Sequence, residues 1–430
     1  MNIGDKKNQT IHYLTLLIWG TALAFFSILP LKQNLDINSY MPALVTTLQN
    51  TMNDFISINN GINTRGELDF IVILSGLAHL FHINTAIMAF FLTECFFYSL
   101  LLISFPLLTY IAFQRKGFCA ALLAPILLIF FSENYLWKYL SAEYWAYAYI
   151  IIPSFLLMLI YTQSEKQKTK IFISLIISLL CGAINIIRAS AALPVMMAFA
   201  LLLIFECSSS LKKNASINKT RPLLYYAAII ILIFFIGYGL KKVLVQACFL
   251  AYNIKNGSHI KFSFSGSPGP WHSLYIGLGW HQNPFGITFS DTCAYNKAQE
   301  IIPGCGYFSK EYMKALRQEW LRLFIENPFY FIKDYFFKFL YIIFNSCLDK
   351  KLLYTVPFIV FIYKYFKPRI YDKRIQFLIS ILVMLVLTTI PSLVTKPEVY
   401  YSLGLYAGIR FAIAIFILYG ITRFEEKIPY

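Results

Sequence analysis

Residues 171–187 read IFISLIISLLCGAINII, and after a lone Arg188 residues 189–206 read ASAALPVMMAFALLLIFE. Each run approaches the roughly 20 apolar residues that a helix needs to cross the hydrocarbon core of a bilayer. In lipid, a segment of this length must satisfy every backbone N–H and C=O within itself, which a helix does. Two such runs joined at one arginine make a helical hairpin through a membrane. Lys166, Lys168 and Lys170 precede the pair, and Lys212, Lys213, Lys219 and Arg221 follow it. Short cytoplasmic loops retain Lys and Arg, so the Arg188 turn lies on the outer side.

The same reading extends in both directions along the chain. Further apolar segments fall at 12–31, 84–113, 117–132, 144–162, 223–246, 352–366, 375–391 and 403–421. The expected fold is an all-α integral membrane protein with about ten transmembrane helices. Basic clusters at Lys6 and Lys7, Arg115 and Lys116, Lys364 to Arg374, and Arg423 and Lys427 all fall on one side if both termini are cytoplasmic. No cleavage site of small residues follows the first segment, so it is read as a retained anchor.

Composition agrees. The chain is 58% hydrophobic and 13% charged, with a mean hydropathy of +0.61. A soluble protein carries about a quarter of its residues as charges, so the surface left uncovered must face lipid. The net charge of +16 then reads as cytoplasmic loops and contacts to anionic lipid, with no nucleic-acid partner.

Two long segments, 32–83 and 247–351, are left outside, and three regions result. Residues 1–246 form an N-terminal transmembrane module with the first external loop, 247–351 an external region, and 352–430 the C-terminal helices. Within the external region, 309–326 alternates charged and apolar residues at helical spacing. Ser309, Glu311 and Tyr312 mark its start and Asn327-Pro328 its stop. The stretch 329–344, FYFIKDYFFKFLYIIF, is interrupted by Lys333, Asp334 and Lys338. Counting it as a span would place the cluster at 364–374 outside, so it is read as an amphipathic helix in the outer interface, with a true span as the alternative.

No phosphate-binding glycine loop, CxxC pair, HExxH or GxSxG occurs. No cytoplasmic loop is large enough for a nucleotide domain, so any enzymatic site is external or interfacial. Asp36 follows the first span by a few residues, where a carboxylate can act as a general base on an acceptor, hold a divalent metal against a phosphate, or cap a helix. Glu143 lies in a short external turn, Ser141-Ala142-Glu143-Tyr144. Arg188 and Arg410 are cations at membrane depth that need a structural partner or an anionic ligand. Residues 269–286, GPWHSLYIGLGWHQNPFG, cluster aromatics, glycines and amides without helical period, as a loop lining a sugar site would. Trp271, His272 and His281 are its candidates, with metal ligation by the two histidines as a weaker reading. Asp291 follows in Ser290-Asp291-Thr292, either sharing that pocket or capping the helix toward Glu300. Cys293 and Cys305 flank a polar stretch and are a candidate disulfide in an oxidising compartment.

With these residues in view, the chain resembles the GT-C superfamily of integral-membrane glycosyltransferases that use polyprenyl-phosphate sugars. The likeness rests on Asp36 after the first span, on Ser141-Ala142-Glu143, on Arg188 at the outer end of a span, and on Lys396-Pro397-Glu398-Val399-Tyr400-Tyr401 before the last. The run 271–298 also looks like a segment of bacterial members. The family's acidic pair in the first loop is not intact, since Ile37 stands beside Asp36.

The resemblance implies transfer of a sugar from a polyprenyl-phosphate donor to an external glycan, lipid or protein acceptor, with inversion. It implies Asp36 and Glu143 as catalytic groups and Arg188, Lys396, Tyr400 and Arg410 among the substrate-binding ones. It also implies a multi-pass protein of a bacterial inner (plasma) membrane. No cofactor is required by this reading, and a divalent metal stays open. The alternatives are an O-antigen polymerase or ligase, which would use external Arg and His, and a transporter, for which Gly237 and Gly239 could mark a broken helix.

Overall fold

The computed structural model describes residues 3–34, 98–113, 118–132, 142–187, 191–213, 220–256, 270–347 and 373–397, with isolated residues between 405 and 418. Among these residues all regular structure is helical. The chain runs α1 (Ile3–Asn34), α2 (Tyr98–Phe113), α3 (Phe118–Ser132), α4 (Ala142–Gln163), α5 (Gln167–Ile187), α6 (Leu193–Lys213) and α7 (Thr220–Asn256). It continues as α8 (Pro270–Gly277), a 3₁₀ turn (Leu278–Trp280), α9 (Asp291–Ile301), α10 (Lys310–Glu326), α11 (Pro328–Cys347), α12 (Lys373–Leu387) and α13 (Ile390–Val394).

Among the described residues four segments are long and apolar enough to cross a membrane: Gln167–Ile186, Leu193–Leu211, Pro222–Leu244 and Ile375–Val394. The protein is therefore an all-α membrane protein. The hairpin expected around Arg188 is α5 followed by α6, and α5 packs most extensively on α7. α6 lies against α12, α4 against α5 and α2, and α1 against α2 and α3. Their shared core holds Leu102, Ile151, Leu156, Ile177, Phe199, Leu203 and Met384.

Lipid offers no driving force for such helices to associate, so small residues and polar links position them. Gly182 of α5 sits where a methyl group would lie 2.9 Å from Leu240 and 3.0 Å from the Ile236 carbonyl. Buried Asn185 donates from Nδ2 to the Gly237 carbonyl at 2.9 Å and accepts from the Ala192 amide at 3.2 Å, tying α5 to α7 and to the start of α6. α7 passes through Gly237 and Gly239 without interruption. At 1.5 Å per residue it is about 55 Å long, well beyond the ~30 Å of a hydrocarbon core.

A second, separate core forms from 270–331. It gathers Tyr275, Ile276, Leu278, Ile287, Ala294, Ala298, Tyr312, Leu316, Leu323 and Phe331. α10 begins where expected: Ser309 caps it, accepting from the Tyr312 amide, and the helix stops at Glu326 before Asn327-Pro328. Residues 269–286 depart from the expected irregular loop, because 270–277 fold as a helix. Pro270 opens it, at the one helical position where the missing N–H costs nothing. The segment then needs its glycines for close backbone approach. A methyl group on Gly277 would sit 2.1 Å from the Val394 carbonyl oxygen, and one on Gly279 2.3 Å from the carbonyl carbon of Thr288. Gly277 thereby seats this second core against α13.

α11 is the helix expected over 329–344. Its charges do not all face water: Asp334 and Lys338 are fully buried against the second core, 3.1 Å apart. The face turned away from that core is rich in aromatic and apolar residues, with Phe329 84%, Ile332 64%, Phe336 57% and Phe337 49% exposed, and it carries one exposed cation, Lys333, whose ammonium lies 5.9 Å from the Phe337 ring. A face of this kind suits the acyl region of a bilayer, whether the helix lies in the interface or crosses.

Candidate functional site

His272 lies on α8 and is 4% exposed. Asp291 is the first residue of α9, just after the capping Ser290, whose side chain accepts from the Thr292 amide. The helices bring the two together: His272 Nε2 is 3.2 Å from Asp291 Oδ1. On the other side, His272 Nδ1 is 2.6 Å from the hydroxyl of Tyr312, itself inaccessible on α10. An ionised carboxylate can only accept. The Nε2–H of a neutral imidazole therefore donates to Asp291, and Nδ1 accepts the hydroxyl proton of Tyr312. Burial pushes the imidazole below its ordinary 6.5, against the opposing pull of the Asp291 charge. The Tyr312 hydroxyl is pushed far up by burial and by neighbouring Tyr307.

Aromatic rings wall this relay. Phe308 packs edge-on to the imidazole at 5.0 Å, and Tyr307 at 6.4 Å. Phe308 adopts a left-handed φ of +58°, a conformation that a bulky side chain rarely takes. Its cost, about 1–3 kcal/mol, is borne where the ring closes over His272. The result is one exposed carboxylate, with 62% of its side chain accessible, oriented by a buried donor and by the N-terminal end of a helix. Such a group can accept a proton or a hydroxyl hydrogen bond from a ligand, while the histidine fixes its direction.

His281 is placed elsewhere. Its Nδ1 lies 3.5 Å from Asp334 Oδ1, which also accepts from Trp280 Nε1 at 2.7 Å. Lys338 donates to the Gly277 carbonyl at 2.8 Å, so the buried pair of α11 locks the 3₁₀ turn from below. The two histidines thus belong to different carboxylates. Among the described residues no group of three or more His, Cys, Asp or Glu could hold a metal ion.

Trp271 packs beside Trp320 and carries the Arg317 guanidinium over its ring at 5.6 Å. Lys396, just past α13, extends its ammonium over the Phe289 ring at 5.6 Å, two residues before Asp291. Glu143 stands in the first turn of α4, inside a helix and not in the turn expected for it. Asp36, Arg188, Tyr400 and Arg410 lie outside the described residues. The expected disulfide is absent: Cys293 and Cys305 are both free thiols. Cys293 lies in the first turn of α9 and Cys305 just past its end, where the Gln299 amide pins Cys305 by donating to its carbonyl at 2.6 Å.

Tyr312, Asp334 and Lys338 were not singled out in the sequence as site residues. The i, i+4 spacing of Asp334 and Lys338 within an apolar run was the available signal, since isolated charges there must be paired. Tyr312 gave no such signal among 30 tyrosines. Compared with family models, with curated proteins and with solved structures, the chain matches none.

Proposed function

We propose that this protein is a membrane glycosyltransferase of the GT-C type, moving a sugar from a polyprenyl-phosphate donor to an external acceptor with inversion. What supports the reading is a subdomain that pairs an aromatic-rich exposed face on α11, suited to lipid, with an exposed carboxylate at Asp291; the proposed topology puts that subdomain outside. A lipid-borne donor and a water-borne acceptor meet at such a boundary. About ten crossings with cytoplasmic termini, in a bacterial inner membrane, complete the proposed topology.

In this reading Asp36 takes the acceptor hydroxyl proton, with Glu143 as a second carboxylate. The acceptor oxygen bonds to the anomeric carbon as the carbon–oxygen bond to phosphate breaks, and polyprenyl phosphate leaves. Arg188, Lys396 and Arg410 hold the developing phosphate charge. Trp271 and Tyr400 offer aromatic faces to the donor. Asp291, His272 and His281 belong to the sugar side.

A second reading, an O-antigen polymerase or ligase, is favoured by the Tyr312–His272–Asp291 relay, because that chemistry would use an external histidine. The transporter reading loses the broken helix it needed, since α7 is continuous through Gly237 and Gly239.

The test is sugar transfer from a radiolabelled panel of polyprenyl-phosphate sugars by the purified protein, beside Asp36→Asn. Transfer abolished in the variant, with folding retained, supports the class and the base. Transfer by both proteins keeps the class and moves the base to Glu143 or Asp291. Transfer by neither, with every acceptor class tried, refutes the reading.

A further inference from the structure

An open groove of about 700 Å³ runs between α9 and α10, on the side of α9 away from Asp291. Its floor is a ladder of five charges. Lys297 bonds Glu300 at 2.9 Å and lies 3.6 Å from Glu319. Arg322 forks onto both oxygens of Glu319 at 2.8 and 2.9 Å, then reaches Glu326 at 2.7 Å. The order is acid, base, acid, base, acid. The helical period makes this possible, since Glu319, Arg322 and Glu326 share one face of α10 and Lys297 and Glu300 one face of α9. Glu319, with 10% of its side chain exposed, is the fixed centre. The Arg322 fork holds its carboxyl below the usual carboxylate range, against the opposing effect of burial. The outer rungs stand in solvent, with Glu300 65% and Glu326 50% exposed at the side chain.

The chemistry of the ladder selects a ligand. Three carboxylates against two cations leave the groove negative, which disfavours a phosphate or any polyanion. Each carboxylate already has a fixed cation, which weakens its demand for a free amine. Alternating acceptors and donors at hydrogen-bond spacing match a chain of hydroxyls, each of which donates to one rung and accepts from the next. Half-buried Phe285 lines one end and gives an apolar face for the C–H side of a pyranose ring. Gly286 beside it, at φ +67°, has nothing within 4 Å of where a side chain would begin, so the rim stays open.

We infer that this groove binds a neutral polyhydroxylated ligand, an oligosaccharide chain. It rests on the glycosyltransferase reading only in being called the acceptor's site. The binding itself follows from the groove.

The test is calorimetric titration of the full-length protein in nanodiscs with neutral oligosaccharides (chitohexaose, maltohexaose and mannohexaose), with spermine and inositol hexakisphosphate as charged comparators. Binding of a neutral oligosaccharide, weakened about tenfold by Glu300→Gln with Glu326→Gln, is expected. These two side chains are solvent-exposed, so the variant folds. Phe285→Ala should weaken binding as well. The inference is overturned if none of the three oligosaccharides binds, if binding is unchanged in the carboxylate variant, or if only a charged comparator binds. The titration holds no polyprenyl donor and so reads binding apart from transfer: binding here with no transfer in the radiolabel assay sinks the enzyme reading alone, and transfer in that assay with no binding here sinks this one alone.

Discussion

Lys338→Met tests how the subdomain built on the second core is held to α11. The ammonium and its partner Asp334 are both inaccessible, and Lys338 also donates to the Gly277 carbonyl. Methionine keeps the apolar stem and removes the charge, so the Asp334 carboxylate is left buried with Trp280 Nε1 as its close donor. Breaking one side of a buried pair costs about 3–5 kcal/mol. The unpaired Gly277 carbonyl adds about 1 kcal/mol. At roughly 2 °C per kcal/mol for a chain of this size, the unfolding midpoint should fall by about 8–12 °C. Asp334→Asn combined with Lys338→Met removes both charges and should recover more than half of that loss. The assay is thermal unfolding in a fixed detergent, followed by trypsin susceptibility of that subdomain. If the single variant is no less stable than the double, the pair is not charged in the fold and the reasoning fails.

Gly279→Ala places a methyl group 2.3 Å from the carbonyl carbon of Thr288 and should disrupt the 3₁₀ turn, seen as faster proteolysis between 270 and 300, whereas Gly239→Ala, which meets nothing within 4 Å, should be neutral. His272 is held below its ordinary 6.5 by burial, so the unfolded chain takes up a proton first as pH falls. Stability should be level above about pH 6.5 and decline below it, and His272→Gln should flatten that decline in melting curves between pH 5 and 8. An equal slope in the variant would remove His272 as the cause. Asn185→Leu strands the Ala192 amide and removes the side-chain donor to the Gly237 carbonyl, and should cost about 1–3 kcal/mol, read as a lower midpoint in the same melts. Cys293, which is partly accessible, should be alkylated by iodoacetamide without prior reduction, and no Cys293–Cys305 cross-linked peptide should appear in a non-reduced digest.

Hydropathy made the membrane helices legible because length and apolarity act residue by residue. Expected segments at 117–132, 144–162, 171–187 and 223–246 coincide with α3, α4, α5 and α7 to within a few residues, apart from the long C-terminal extension of α7. The cap at Ser309 was equally readable, since capping is a local contest between a hydroxyl and three amides. The direction of the charges on α11 was not. A lone Asp–Lys pair in an apolar run looks the same whether it faces water or a folded partner, and the partner, Trp280, lies 54 positions away in sequence. The pairing of His272 with Asp291 was anticipated only as a shared pocket, and the ladder between α9 and α10 not at all. Each half of the ladder reads as an ordinary solvated helix face, and only the packing of the two helices makes one surface of them.

In the proposed function, the outward aromatic face of α11 also sets how the two substrates arrive. A water–lipid boundary drawn along that face leaves the subdomain with two approaches of different dimensionality. A lipid-linked molecule arrives by lateral search within a sheet, where its path is confined and its headgroup is already oriented. A molecule from solution arrives through three dimensions and must be captured from any angle, for which a broad, open groove is better suited than a narrow cleft.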